Sequence, residues 1–303
     1  MNDDILLTGS TGFLGKILHK SFIESGYNVV TLGRSNCLIN VDITGPLDIS
    51  LNILPSFVVH AAGKAHTFPK TQLEKQEFYR VNLQGTKNLC KLLEKAGVLP
   101  RAFIFISTVS VYGLDNGEKI TEDFPLNGSS PYAESKILAE HWLQEWADKN
   151  AIKLGIVRLP LVVGPMPPGN LGAMIAGIQT GKYLSIGNAS ARKSMVWAED
   201  VAKIIPFLAK KGGIYNLTDG YHPSFRELEN IIAGSLDSRK PLRIPSWAAY
   251  ALAKMGDVIG DAFPFNSAKL QKITSTLIFD DSKAVKELGW NPSPVLTKIT
   301  EII

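Results

Sequence analysis

Cysteine and net charge are both scarce in this chain. Two cysteines, Cys37 and Cys90, in 303 residues are too few and too isolated for a disulfide framework or a zinc site. No metal is expected, and each thiol should pack as a small hydrophobe. A net charge of +4 suits an anionic small molecule. With no Lys/Arg-rich run and no aromatic-basic stripe, nothing points to nucleic acid. The first residues, MNDDILLTGS, lack both a basic leader and a long apolar run, so no signal peptide is expected. The most membrane-like segment, IPSWAAYALAKMGDVIGDAF, is interrupted by Lys254 and Asp257 and is too short to span a bilayer. A cytoplasmic protein without a transmembrane segment is the expectation, with attachment of that segment to a membrane surface as the outside alternative. No internal repeat or low-complexity segment is present.

What the chain has instead is alternation. Short apolar runs bounded by turn residues, DILLT, NVVTL, CLINV, SFVVHAA, RAFIFISTVSVYG and IKLGIVRLP, alternate with helical patterns over Phe13–Glu24, Thr71–Lys95 and the stretch after Ser130. Such alternation predicts an α/β fold, a Rossmann-type doubly wound parallel sheet covered on both faces. Beyond about Pro160 a Pro/Gly loop, VVGPMPPGNLG, is followed by shorter and less regular pieces. We expect a dinucleotide-binding part over residues 1–165. Residues 166–303 should form a smaller, interleaved, mainly substrate-binding part, with some segments returning to the sheet.

Three glycines stand directly behind the first strand. In LLTGSTGFLGK, Gly9, Gly12 and Gly15 permit a tight turn, close approach of backbone to a pyrophosphate and close helix–strand packing. The helix that follows offers N–H donors and the positive end of its dipole. Further along, SPYAESKILAEHWLQEW places Tyr132 and Lys136 four residues apart, on one face of a helix capped at Ser129 or Ser130 with Pro131 in its first turn. A phenol titrates near ~10, and a neighbouring ammonium stabilises phenolate. One helix therefore aims an acid/base group and its activator into one cleft.

The G-x-x-G-x-x-G loop combined with Tyr-x-x-x-Lys resembles the extended short-chain dehydrogenase/reductase family of sugar-nucleotide epimerases, dehydratases and reductases. The resemblance covers essentially the whole chain. It implies that Gly9, Thr11, Gly12, Phe13, Leu14 and Gly15 hold the cofactor diphosphate. Asp42 and Ile43 would lie beside the adenine, Ala61, Ala62 and Gly63 would let the cofactor lie close, and Pro160 and Val162 would meet the nicotinamide amide. Asn82, in Val-Asn-x-x-Gly-Thr, would support the active-site backbone. FISTVSVYG matches the family's strand-end segment, so Thr108 takes the catalytic hydroxyl position beside Tyr132 and Lys136. Ser107 would join the cofactor site and Ser110 the substrate site. Asn170 resembles a substrate-loop residue, and Arg192 and Lys193 compete for the place of a pyrophosphate-gripping arginine. His60 and His66 read as structural.

At the end of the second strand, Gly33 and Arg34 stand where the family usually carries an acid. An arginine there can grip a 2′-phosphate, so NADP(H) is favoured, with NAD(H) left open. The expected activity is reduction at C4 of a UDP- or dTDP-4-keto-6-deoxyhexose, with a nucleotide-sugar 4-epimerase that retains NAD as the alternative. A non-catalytic NADP-binding sensor is the remote one. A dehydratase fits less well, because Val109 and Ser110 stand where that branch carries an acid pair. A homodimer is left open.

Overall fold

The computed structural model describes residues 4–49, 51, 53–65, 69–97, 99–260 and 265–303; His66 lies outside them. Seven strands form one parallel sheet: β1 (Asp4–Thr8), β2 (Asn28–Gly33), β3 (Ile39–Asn40), β4 (Phe57–His60), β5 (Ala102–Thr108), β7 (Lys153–Leu159) and β11 (Gly213–Asn216), in the order β11-β7-β5-β4-β1-β2-β3. The chain leaves β1 toward β2 and β3, then crosses back to place β4 on the other side of β1. That reversal opens a crevice at the carboxyl ends of β1 and β4, where ligands bind in sheets of this kind.

Side chains alternate across each strand, and here both faces are buried, which is why the runs are apolar throughout. Ile5 and Leu7 of β1 join a core with Leu18 and Phe22 of α1 (Phe13–Glu24) and Val201, Ile205 and Leu208 of α6 (Ala198–Lys211). Leu6 faces the opposite way, toward Leu89 and Leu93 of α3 (Gly85–Lys95) and Ala139, Leu143 and Trp146 of α4 (Pro131–Lys149). Cys90 is buried in this second core, as expected of a small hydrophobe, while Cys37 is half-buried in the loop after β2.

Three elements differ from the sequence expectation. CLINV pairs only through Ile39 and Asn40, at the sheet edge. The long helix over residues 71–95 is divided into α2 (Gln72–Phe78), a π-helical stretch Tyr79–Gln84, and α3. The strand run ending at Gly113 stops at Thr108, whose Oγ accepts the Ser110 N–H at 3.1 Å and caps a 3₁₀ turn over Val109–Tyr112.

Three parallel strand pairs stand apart from the main sheet. They are β8 (Leu161–Val163) with β10 (Met195–Trp197), β9 (Leu184–Ile186) with β12 (Leu242–Ile244), and β6 (Gly117–Ile120) with β13 (Leu277–Phe279). A separate core joins β8 and β10 to α5 (Gly169–Gln179), α7 (Phe225–Ser235) and α11 (Val295–Ile299). α8 (Ser246–Ile259) packs on α9 (Ser267–Thr274), and α10 (Ser282–Leu288) returns to the first core. Among the described residues no helix is long and apolar enough to cross a membrane.

Candidate active site

The glycine loop closes on itself too tightly for side chains. Gly9 has φ +75°, and a Cβ there would stand 2.5 Å from the Ala62 nitrogen. A Cβ on Gly15 would lie 1.9 Å from the Gly9 oxygen. Gly12 is the N-cap of α1 and brings no side-chain cap, so the first N–H groups of the helix remain available to an anion. The small residues thus make a cradle of backbone donors, a shape and charge that fit a dinucleotide diphosphate. Thr11 is exposed at its rim, and Phe13 and Leu14 are half-buried in the first turn of α1. Ala61 and Ala62 line the opposite lip, tied to β1 by hydrogen bonds to the Thr8 oxygen and Oγ1 at 3.2 Å each.

At the end of β2, Arg34 is exposed. A Cβ on Gly33 would stand 2.9 Å from Cys37 Sγ. Asp42 is exposed, and its carboxyl is held below the usual range by the Thr44 N–H first and by Arg34 and Arg80 more weakly. Next to it, the Ile43 side chain is buried against Gly85 of α3.

The structure brings Thr108, Tyr132 and Lys136 to one cleft. Ser130 caps α4 by accepting the Ala133 N–H at 3.1 Å, Pro131 opens the helix, and the i, i+4 spacing sets Tyr132 and Lys136 on the same face. Burial pushes the Tyr132 phenol up from its ordinary value, and its hydrogen bond with Thr108 opposes this. The sequence predicts a phenol lowered by the neighbouring ammonium; within the chain alone, desolvation is the larger influence on Tyr132 and the Thr108 hydrogen bond the smaller. Lys136 is itself desolvated. Its ammonium donates to the Ile106 oxygen at 2.8 Å and sits 4.3 Å over the Phe105 ring. Burial brings its pKa down to about 8, against a smaller upward pull from Glu140. Gly63 leaves room beside it: a Cβ there would meet Lys136 Nζ at 3.4 Å and Asn82 Oδ1 at 3.1 Å.

Asn82 holds the surrounding backbone. It is fully buried in the π-helical stretch, accepts the Lys64 N–H at 2.8 Å, and donates to the Lys64 oxygen at 3.1 Å and to Ser135 Oγ at 2.9 Å. The π turn rotates this amide between the loop after β4 and helix α4, a use of such turns common at functional sites. His60 is structural in its contacts, bridging Thr8 Oγ1 at 2.6 Å and Thr86 Oγ1 at 2.9 Å. Burial and the Lys136 charge bring its pKa down to about 3, so it is neutral.

Sequence reasoning missed the polar network behind this cleft. Ser107 gives its hydroxyl to Glu140, which forms a buried ion pair with Arg158 at 2.7 Å. Arg158 continues to Tyr112 Oη at 3.1 Å, and Tyr112 donates to Asn216 Oδ1 at 2.7 Å. Two signals were present: a glutamate four residues past Lys136 on the same helical face, and an arginine inside the apolar strand GIVRL.

On the C-terminal side, Arg192 and Lys193 part company. The Arg192 guanidinium donates to the backbone oxygens of His222 at 2.8 Å and Tyr221 at 2.5 Å, and so pins that loop. Lys193 is half-buried; desolvation lowers its pKa, with Asp115 and Lys272 as its charged neighbours. Ser110 is exposed next to Thr108 Oγ1, which donates to its hydroxyl at 3.2 Å. Pro160 and Val162 are half-buried behind β7, and Asn170 is exposed in the first turn of α5.

A model of the family described as "NAD dependent epimerase/dehydratase family" matches residues 5–218. The chain belongs to that family. It is 31% identical to the UDP-glucose 4-epimerase of Vibrio cholerae, over 98% of this chain and 93% of that protein. It is 28% identical to an N-acetyl-α-D-glucosaminyl-diphospho-ditrans,octacis-undecaprenol 4-epimerase of Escherichia coli O157:H7, over 93% of this chain and 89% of the relative. Among solved structures, RMD from Pseudomonas aeruginosa complexed with NADPH superposes with a TM-score of 0.77 at 20% identity, over 99% of this chain and 97% of the other, and shows the shared fold. Membership in this epimerase/dehydratase family carries dependence on a nicotinamide cofactor.

Proposed function

We propose that the protein carries out redox chemistry at C4 of a nucleotide-activated hexose, in the direction of net reduction of a UDP- or dTDP-4-keto-6-deoxyhexose with NADPH. The observation that carries the direction is the end of β2, where Gly33 replaces an acid and an exposed Arg34 follows. That arrangement suits a 2′-phosphate and an exchangeable cofactor. The cofactor, held in the glycine-loop cradle, would supply hydride to C4. Tyr132 would donate the proton to the C4 oxygen as it becomes hydroxyl, with Thr108 as its hydrogen-bond partner and Lys136 as the group that would support phenolate and hold the nicotinamide ribose. Because Arg192 is committed to backbone oxygens, Lys193 is the side chain we assign to the substrate diphosphate.

A second reading, a 4-epimerase with retained cofactor, is favoured by the two relatives, both 4-epimerases. The two readings differ in stoichiometry. Purified protein given NADPH and a dTDP-4-keto-6-deoxyhexose should oxidise one NADPH per sugar reduced. Interconversion of UDP-glucose and UDP-galactose with no added cofactor establishes the epimerase instead. Arg34→Ala should weaken NADPH binding by roughly tenfold, the loss of one charge-assisted contact, and leave NADH unchanged. Tyr132→Phe should lower turnover by about 10²–10⁴ while cofactor binding survives. Near-normal turnover of that variant would place the acid elsewhere.

A further inference from the structure

Helix α8 is inside out. Its inner face is Ala249, Ala253 and Gly256, all buried, while Trp247 is 75% exposed, Met255 54% and Val258 88%. At about 100° per residue, Trp247, Ala251, Met255 and Val258 fall on the side opposite the three small residues. Tyr250, Leu252 and Ile259 are also exposed at the flanks, and Leu242 on the lead-in strand β12 is 73% exposed. A surface helix in water places its large apolar side chains the other way round.

The charge around this helix is equally uneven. Residues 239–275 hold six of the 32 Lys/Arg and two of the 28 Asp/Glu, leaving 26 of each elsewhere. The whole net charge of +4 therefore belongs to this segment. Arg239, Lys240, Arg243 and Lys272 are exposed. One of the two acids, Asp257, is engaged in accepting the Ser267 N–H at 3.0 Å and its hydroxyl at 2.6 Å, which starts α9. Ser246 of α8 and Thr274 of α9 line a cavity of about 230 Å³ shared with Ala189 and Ala191, immediately before Arg192 and Lys193. The inverted helix thus borders the substrate side of the molecule.

We infer that α8 docks on the surface of an anionic bilayer. The helix lies in the headgroup plane with Trp247, Met255 and Val258 at the acyl boundary, and Arg239, Lys240, Arg243 and Lys272 face lipid phosphates. Charge decides against a second copy of this chain as the occupant, because pairing the two faces would set +4 against +4. This inference stands whether or not the C4 reading holds.

Flotation of the full chain with vesicles tests it. The protein should float with phosphatidylcholine vesicles containing phosphatidylglycerol at low salt, and roughly tenfold less with phosphatidylcholine alone or at high salt. Trp247→Ser with Val258→Ser should lose about tenfold of the flotation while unfolding midpoint and native mass stay unchanged. Arg239→Ser with Lys240→Ser and Arg243→Ser should remove most of the salt dependence. No flotation of the unmodified protein, or full flotation of the Trp247/Val258 variant, overturns the inference. So does a halved native mass in that variant, since the face would then join two copies.

Discussion

Helix α4 turns Tyr132, Lys136 and Glu140 inward, one per turn, whereas α8 turns Trp247, Met255 and Val258 outward. Both break the amphipathic pattern of a surface helix, in opposite senses. On α4 the inward polar groups are matched: Lys136 donates to the Ile106 oxygen, and Glu140 accepts from Ser107 and Arg158. Among the described residues no buried side-chain nitrogen or oxygen lacks a partner. On α8 the outward apolar groups stay exposed among the described residues. The lesson is that a mispatterned helix which the fold itself satisfies is a scaffold for chemistry, and one which the fold leaves unsatisfied points to something outside the chain.

The strongest way to break the α4 side of this comparison is to remove Arg158. Its side chain is 3% exposed and that of Glu140 is fully buried, so Arg158→Met strands a carboxylate away from water and should cost about 3–5 kcal/mol. Chemical denaturation would read it as a fall in midpoint at unchanged slope. Adding Glu140→Leu should return much of the loss, because the pair is then replaced by apolar volume rather than halved.

The α4 half was largely legible in the sequence, and the reason is local. DILLT, the Phe13–Glu24 helix and the glycine loop each carry their signal within a dozen residues, and Tyr132-x-x-x-Lys136 needs only the helical period to be read. What escaped was non-local. Nothing near Arg158 announces Glu140, which lies 18 residues earlier. The π turn around Asn82 depends on the backbone of Lys64 and the hydroxyl of Ser135. Arg192 and Lys193 could not be separated by counting, because the carbonyls that hold Arg192 come from residues 221 and 222. The apolar run of α8 was visible, but which side of it faces out required its packing on α9.

A smaller effect tests whether the polar groups behind α4 are as closed as their contacts suggest. His60 is neutral in the fold, with its pKa near 3 against 6.5 in the unfolded chain. Between those values the unfolded chain binds the extra proton, so this residue's contribution to stability is full above pH 6.5 and is lost as pH falls. From pH 7 to pH 5 the loss should be about 2 kcal/mol. Comparing the protein with His60→Gln at the two pH values isolates it from the carboxylates: the variant should lose less stability on acidification by about that amount.

The smallest expected effect falls on α8 and sharpens the comparison most. Trp247 and Val258 already face solvent, so Trp247→Ser or Val258→Ser removes little burial and should change folding stability by no more than about 0.5 kcal/mol. The inner face answers differently. Ala253 is fully buried on the inner face of α8, and Ala253→Leu adds three carbons to that buried face, at a cost of about 1–3 kcal/mol. Urea midpoints of the three variants in the absence of lipid should therefore divide by face and not by hydrophobicity. The change that adds apolar volume destabilises, and the two that remove it do not. A large loss from Val258→Ser would mean that the outer face is already packed in solution, and the contrast with α4 would fail.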